Sequence, residues 1–259
     1  MTYSLLILAH VLADFSFQTE KLSKNKQLSF LALMKHLLIV FLTSLVLTFY
    51  YFSEQLLLVI LTITLVHGII DYCKIYLSWK LAERKAKTGN YKLEIFIVDQ
   101  TLHILVILLT VPLFTLQGNL YLILMYNDLK DIFQWLGVFN TSRVFFITIA
   151  ASVVIFNFKG STIITRAVLE KYKSDINNKA GKGKAIGNLE RLLIILFVIL
   201  ESYSLIGLLF TAKSLIRFKE IEEKKVGEGF VEYYLLGSIT SIFLAVLTGS
   251  IINIFKYLW

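Results

Sequence analysis

Six uninterrupted apolar runs, at residues 28–52, 55–79, 93–117, 144–160, 191–212 and 233–255, each approach or exceed the roughly 20 residues that cross about 30 Å of hydrocarbon. In lipid each backbone N–H and C=O must find its partner inside its own segment, so such runs are read as helices. A chain that is 57% hydrophobic and 17% charged, with one proline, lies outside the balance of a water-soluble domain. Residues 3–18 form a shorter seventh run. They carry His10 and Asp14 and lack a basic leader and a small-residue cleavage pattern, so they read as mature structure rather than a removable signal. The expected fold is an all-α, polytopic transmembrane helix bundle of about seven spans. The single cysteine, Cys73, excludes an internal disulfide.

Orientation follows from the basic residues, which favour the cytoplasmic side. Lys21, Lys24 and Lys26 fall in one loop, Lys80, Arg84, Lys85, Lys87 and Lys92 in a second, and Lys171, Lys173, Lys179, Lys182, Lys184 and Arg191 in a third. Seven spans with the N-terminus outside place all three in the cytoplasm. The 217–232 loop, with Arg217, Lys219, Lys224 and Lys225, then faces outward, its charge matched by Glu220, Glu222, Glu223, Glu228 and Glu232. Residues 118–142 read as an amphipathic or re-entrant segment. The chain divides into a four-helix half, 1–117, and a helical half, 118–259, within one membrane domain.

Polar residues inside spans cost several kcal/mol unless they face a partner or water, so each is a functional candidate. The first run carries His10, Asp14 and Gln18; the third span carries VHGIIDYCK, with His67, Asp71 and Lys74; the fourth carries VDQTLH, with Asp99, Gln100 and His103. At 100° per residue His67, Asp71 and Lys74 fall within about 60° of one another and Asp99 and His103 within about 40°, so each set shares a helix face. Cys73 points elsewhere. With six aspartates in 259 residues, three of four histidines gain an aspartate four positions away about once in two thousand random shuffles, so the spacing is signal. The fourth histidine, His36, has Lys35 beside it and no aspartate at helical spacing. It divides between a site role and a headgroup-facing one.

Depth is a second constraint. Counted at about 1.5 Å per residue from the basic loops, His10 and His36 lie about 12 Å in, His103 about 15 Å and His67 about 18 Å. All four are expected at one level of the inner leaflet, with Asp14, Asp71 and Asp99 nearer the cytoplasm and Gln18 and Lys74 nearest the headgroups. ILAHVLADF (7–15) and TLVHGIIDY (64–72) share L-x-H-x3-D followed by an aromatic, an echo of a duplicated two-helix unit running parallel, found in transporters as well as enzymes.

Imidazole with carboxylate is the ligand set of zinc, iron or manganese, and a catalytic site keeps one position for water. Seven groups, His10, His36, His67, His103, Asp14, Asp71 and Asp99, exceed four ligands. Either two divalent ions bind, zinc first among the candidates, or some members orient the ligands and one aspartate takes a proton from water. Lys74 and Gln18, at the rim, suit a phosphate or carbonyl arriving from the lipid or the cytoplasm. Against this stand a proton or ion pathway through the same groups, and a purely structural role, for which interhelical hydrogen bonds supply only about 0.6 kcal/mol each.

The second half offers Glu190 and Arg191 at the mouth of the sixth span, Glu201 in its middle, and Lys213 and Arg217 at its far end. A carboxylate near the bilayer centre must be protonated, paired or solvated, with Tyr203 or Lys213 as nearby partners, and functional and structural readings of Glu201 stand even. AGKGKAIGN (180–188) lacks P-loop spacing and reads as a mobile cytoplasmic loop touching anionic lipid.

The set H-x3-D-F-x2-Q at 10–18, H-x3-D-x2-K at 67–74, D-Q-x2-H at 99–103, IGNLER at 186–191, AKSLIRF at 212–218 and EYYLLGS at 232–238 resembles a family of small bacterial multi-pass membrane proteins known only as a domain of unknown function. The resemblance runs over nearly the whole chain. It implies a bacterial inner (cytoplasmic) membrane and gives weight to the late motifs.

Together these features lead to the expectation of a metal-dependent membrane hydrolase open to the cytoplasmic leaflet, acting on a lipid, a lipid-linked molecule or a small anion. In it the histidines and one or more aspartates hold the metal while Lys74 places an anionic group. The competing classes are a metal-ion or proton-coupled transporter and a non-catalytic membrane subunit. The net charge of +8 is mostly loop lysine, which needs no partner beyond anionic lipid. Basic residues scattered over several loops without interleaved aromatics disfavour nucleic acid, and the sequence sets no oligomeric state.

Overall fold

Long apolar runs free of internal proline fold as helices throughout the computed structural model, which describes residues 1–84, 91–172, 182–224 and 228–258. Ten α-helices are formed among these: α1 (Thr2–Leu12), α2 (Glu20–Asn25), α3 (Phe30–Leu47), α4 (Glu54–Arg84), α5 (Tyr91–Thr110), α6 (Leu120–Ile132), α7 (Thr141–Val168), α8 (Lys182–Ile199), α9 (Tyr203–Lys224) and α10 (Glu228–Leu258). The one proline, Pro112, sits at the start of a 3-10 turn that ends α5, where its missing N–H costs nothing.

Five of the described helical stretches are long and apolar enough to cross a membrane: Phe30–Leu47, Glu54–Leu81, Tyr91–Leu113, Thr141–Val168 and Val231–Lys256. Thr2–Phe17 and Tyr203–Ile216 are apolar but shorter. Outward-facing Leu31, Val46, Leu65, Ile69 and Leu109 remain exposed, as helices facing acyl chains require. The chain forms two compact units, Met1–Ile155 and Phe156–Trp259, and α7 runs through the division.

In the first unit α1 packs on α3 and α5, and α4 on α3 and α5. Leu6, Val59, Ile60, Ile63 and Ile107 belong to its apolar core. One helical turn farther along the same faces, at His10, His67 and His103, the core turns polar, so the helix positions that fix the packing also aim the imidazoles. Gly68, beside His67, lets α4 approach α3 closely, since a Cβ there would stand 2.8 Å from Leu37 Cδ1. After Leu12 the first helix widens into a π turn, Ala13–Phe17, closed by the Gln18 N–H donating to Ala13 O at 2.9 Å. The chain then reverses through α2, capped by the Thr19 hydroxyl accepting from the Leu22 N–H at 3.2 Å. The segment read as the first basic loop is thus largely a short helix. Residues 120–132 form the amphipathic stretch as α6, with a 3-10 turn at Gln134–Val138.

The second unit departs from expectation in three places. Residues 191–212 are not one rod: α8 ends at Ile199 and α9 starts at Tyr203. Glu201 between them adopts φ 58°, and the N–H groups of Glu201 and Ser202 donate to Val198 O at 3.0 Å and Phe197 O at 2.9 Å. That is a Schellman closure with glutamate in the left-handed position usually held by glycine. Asn253 Nδ2 donates to Val198 O at 2.7 Å and Lys256 Nζ to Ile199 O at 3.3 Å, so α10 satisfies the last carbonyls of α8. Glu201 is therefore exposed at a helix break and pairs with Lys256 at 3.4 Å, not with Tyr203 or Lys213 in mid-span. Second, residues 182–188 open α8 instead of forming a mobile loop, while 180–181 lie outside the described residues. Third, the 217–232 loop is helical at 217–224 and 228–232, with 225–227 outside the described residues. Close packing of α8 on α10 is allowed by Gly249, where a Cβ would meet Val198 Cβ at 3.1 Å.

Glu201→Gly is expected to stabilise the protein by about 0.5–1 kcal/mol. Relief of the left-handed strain, about 1–2 kcal/mol, exceeds the loss of an exposed ion pair worth at most about 1 kcal/mol. A higher melting temperature in detergent would show it.

Candidate metal centre

Four helices of the first unit bring their histidines to one buried place: His10 from α1, His36 from α3, His67 from α4 and His103 from α5, all at most 4% exposed. Ring centroids are 3.9 Å apart for His67 and His103, 5.0 Å for His10 and His103, 5.2 Å for His36 and His67, and 5.6 Å for His10 and His67. His36, ambiguous in sequence, is fully buried among them. Cys73 is exposed on the other side of α4.

The tightest convergence involves four atoms. His36 Nε2 lies 3.1 Å from His67 Nε2, 3.3 Å from Asp14 Oδ1 and 3.4 Å from Asp71 Oδ2. His67 Nε2 lies 3.6 Å from each of the same two oxygens. Asp14 lies in the first turn of the π segment, four residues after His10, the same spacing that places Asp71 after His67 on α4. The two echoing segments thus deliver their aspartates to one imidazole pair. His10, Asp14 and His103 form a neighbouring group, as do His67, Asp71 and His103; within each the ligand-capable atoms lie within 4.8 Å of one another.

Around these groups runs a hydrogen-bonded frame. Lys26 Nζ donates to Asp71 Oδ2 at 2.7 Å, and both side chains are at most 5% exposed. Lys74 Nζ donates to Asp99 Oδ2 at 2.7 Å. Gln100 Nε2 donates to Asp99 Oδ2 at 3.0 Å and to Asp14 Oδ2 at 3.2 Å, which turns its Oε1 toward His10 Nε2 at 3.3 Å. His103 Nδ1 donates to the Asp99 carbonyl at 2.8 Å. Asp99 itself belongs to none of the three convergent groups; its carboxylate is taken by Lys74 and Gln100. Gln18 closes the π turn, and its buried Oε1 makes no hydrogen bond, so it stands apart from the frame. Nor do hydrogen bonds reach Asp14 Oδ1, His36 Nδ1, Asp99 Oδ1 or His103 Nε2, all buried. Unsatisfied polar atoms at this density are rare in folded interiors.

Charge is also unbalanced. Asp14, Asp71 and Asp99 face Lys26 and Lys74, three carboxylates against two ammonium groups. With the four imidazoles neutral, one negative charge is left over in a low-dielectric setting, where an uncompensated charge is costly.

Lys26 is the site residue that sequence reasoning missed. It sits in a run with Lys21 and Lys24 that reads as headgroup-facing, and only the fold of α2 over the bundle distinguishes it. Among the late candidates, Glu190 and Lys213 form an ion pair with each other. Arg191 is buried, donating from Nε to Asn157 O at 3.1 Å, from Nη1 to Ser241 Oγ at 3.1 Å, and from Nη2 to Thr162 Oγ1 at 2.7 Å and to Asn188 Oδ1. Arg217 lies on α9, and its side chain is outside the described residues.

No curated protein and no solved structure matches the chain. The late motifs at 186–191, 212–218 and 232–238 lie beyond the one stretch that a family model covers. That stretch, residues 2–129, contains every histidine, aspartate, lysine and glutamine of the site, and it matches the family described as Protein of unknown function (DUF3307).

Proposed function

We propose that the protein is a metal-dependent hydrolase of a bacterial inner membrane, acting at the cytoplasmic leaflet on a lipid, a lipid-linked molecule or a small anion. The observation behind this is the spacing of His36 Nε2, His67 Nε2, Asp14 Oδ1 and Asp71 Oδ2. Zinc bonds of 2.0–2.1 Å in a tetrahedron imply ligand–ligand edges of about 3.3–3.4 Å. The edges to the two imidazole atoms measure 3.1, 3.3, 3.4, 3.6 and 3.6 Å; Asp14 converges with His36 and His67, and Asp71 with His67 and His103.

Hydrogen bonding alone accounts poorly for that cage. Asp71 Oδ2 accepts from Lys26 Nζ, but the two imidazole Nε2 atoms bring at most two further protons to the cage, and Asp14 Oδ1 still receives none. A cation satisfies all four and offsets the surplus negative charge. Zinc comes first because nitrogen and carboxylate ligands in a tetrahedron suit it. Once bound, such a cation supplies Lewis acidity and lowers the pKa of water. The chain's own groups do the rest. Gln100 holds Asp14 and His10 in orientation, while Asp99, with a bare Oδ1, accepts a proton. Lys74, whose side chain is 29% exposed, offers its ammonium to an anionic substrate group at the open edge.

A transport reading has one observation in its favour. Buried hydroxyls occur beyond the histidines, at Ser44, Thr64 and Thr110, polar groups of the kind an ion pathway uses, although they are set among the apolar core side chains Leu6, Ile63 and Ile107.

Metal analysis of detergent-purified protein tests the proposal. At least one zinc per chain is expected in wild type, with the ion held by His36 and His67 lost in His67→Ala; metal-free wild type after zinc loading would refute it. In liposomes, zinc or proton flux without hydrolysis of phosphate- or acyl-ester lipids would replace the hydrolase with the transporter.

A further inference from the structure

We infer that the site holds two cations, the second bound by His10 and His103 and bridged to the first through the carboxylate of Asp14. The inference deepens the proposed function and rests on it.

The tautomers point this way. A carbonyl oxygen only accepts, so the 2.8 Å contact of His103 Nδ1 with the Asp99 carbonyl puts the proton on Nδ1. Its Nε2 is left with a lone pair, buried and unbonded. Gln100 must direct its amide nitrogen to the two carboxylates, because both can only accept when ionised. Its oxygen therefore accepts from His10 Nε2 at 3.3 Å, and the lone pair of His10 lies on Nδ1. Each imidazole has one N–H pinned by a fixed acceptor, which leaves the lone pair on its other nitrogen, the arrangement by which proteins orient metal-binding histidines. These two residues and Asp14 offer atoms within 4.8 Å of one another, close enough to share one ion.

Asp14 connects the two positions. Its Oδ1 belongs to the cage with His36 and His67, and its Oδ2 accepts from Gln100, whose oxygen in turn meets His10. Two-metal hydrolytic sites place their ions about 3.5–4 Å apart, the reach of a bridging carboxylate. The His10 and His103 rings stack at 22° with centroids 5.0 Å apart. The cavity of ≈ 10 Å³ that they border with His67 is lined mostly by apolar side chains such as Leu6, Val40, Ile63 and Ile107 and by no aspartate, so it lies on the apolar side of the rings and is not the ion position.

The test is a count of zinc per chain in the full-length protein after loading and removal of free metal. Two ions are expected in wild type, and one in His10→Ala and in His103→Ala. One ion in wild type overturns the second position and leaves the proposed function standing; none overturns both. Two ions retained in His10→Ala also overturn it. If those variants do not fold, cobalt-loaded wild type decides the matter. Carboxylate-bridged Co²⁺ ions couple magnetically, so the electron paramagnetic resonance signal per cobalt should fall as the second equivalent binds. Constant signal per cobalt would refute a shared Asp14.

Discussion

Lys26→Met in metal-free protein is expected to lower stability by about 3–5 kcal/mol, the range for removing one partner of a buried ion pair. Lys26 and Asp71 are 5% and 1% exposed and 2.7 Å apart, so the deleted ammonium strands a carboxylate that water cannot reach. Asp71→Asn should cost a similar amount by stranding the ammonium. The double variant Lys26→Met/Asp71→Asn should recover much of the loss, because it removes both members of the pair and strands no further charge. Melting in detergent with a chelator present measures all three. The lysine and a bound cation also serve the same oxygen. Zinc should therefore shrink the Lys26→Met penalty by stabilising Asp71 directly, and ligand linkage makes that shift grow with metal concentration. A Lys26→Met protein that melts like wild type in chelator would show the pair to be a surface contact of little worth.

How much of this was visible in the residues alone depends on whether the signal was local. His10, His67 and His103 each lie four positions from an aspartate, a spacing that a helix converts directly into a shared face. Their common depth followed from counting residues back to the basic loops. What crosses between helices was hidden. Gln100 is adjacent in sequence to Asp99, yet its main bridge is to Asp14 on another helix. Lys26 looks like Lys21 and Lys24 until α2 folds back. Asp99 has the spacing of a ligand, but the Lys74 contact that occupies it along with neighbouring Gln100 is set by the packing of α4 on α5. In the second unit, LLIILFVILESYSLIGLLF has no proline, and its one glycine, Gly207, lies beyond the break at 199–203, so nothing local marks the stop. A glutamate in left-handed conformation ends α8 there, held by Asn253 and Lys256 from α10, far away in sequence.

Arg191→Ala is expected to destabilise the second unit by about 3–5 kcal/mol. The guanidinium occupies the space between α7, α8 and α10, and its deletion opens a cavity at a cost of about 2–5 kcal/mol for a large side chain. It also removes the donors to Asn157 O, Ser241 Oγ, Thr162 Oγ1 and Asn188 Oδ1. Each acceptor left unpaired adds about 1–3 kcal/mol where no hydroxyl can rotate to another partner. Opposing these is the relief of no longer burying a cation, so the net stays within the cavity range instead of the sum. Arg191→Lys separates the contributions. It retains the charge and most of the volume, but one ammonium cannot reproduce a planar fork that reaches acceptors on three helices. A loss of about half the alanine value is expected for it. Hydrogen exchange should rise in α8 and α10 in both variants while the zinc count stays at the wild-type value, because all the metal-site residues belong to the other unit. Equal melting of wild type and Arg191→Ala would mean that the cost of burying the guanidinium cancels all it contributes.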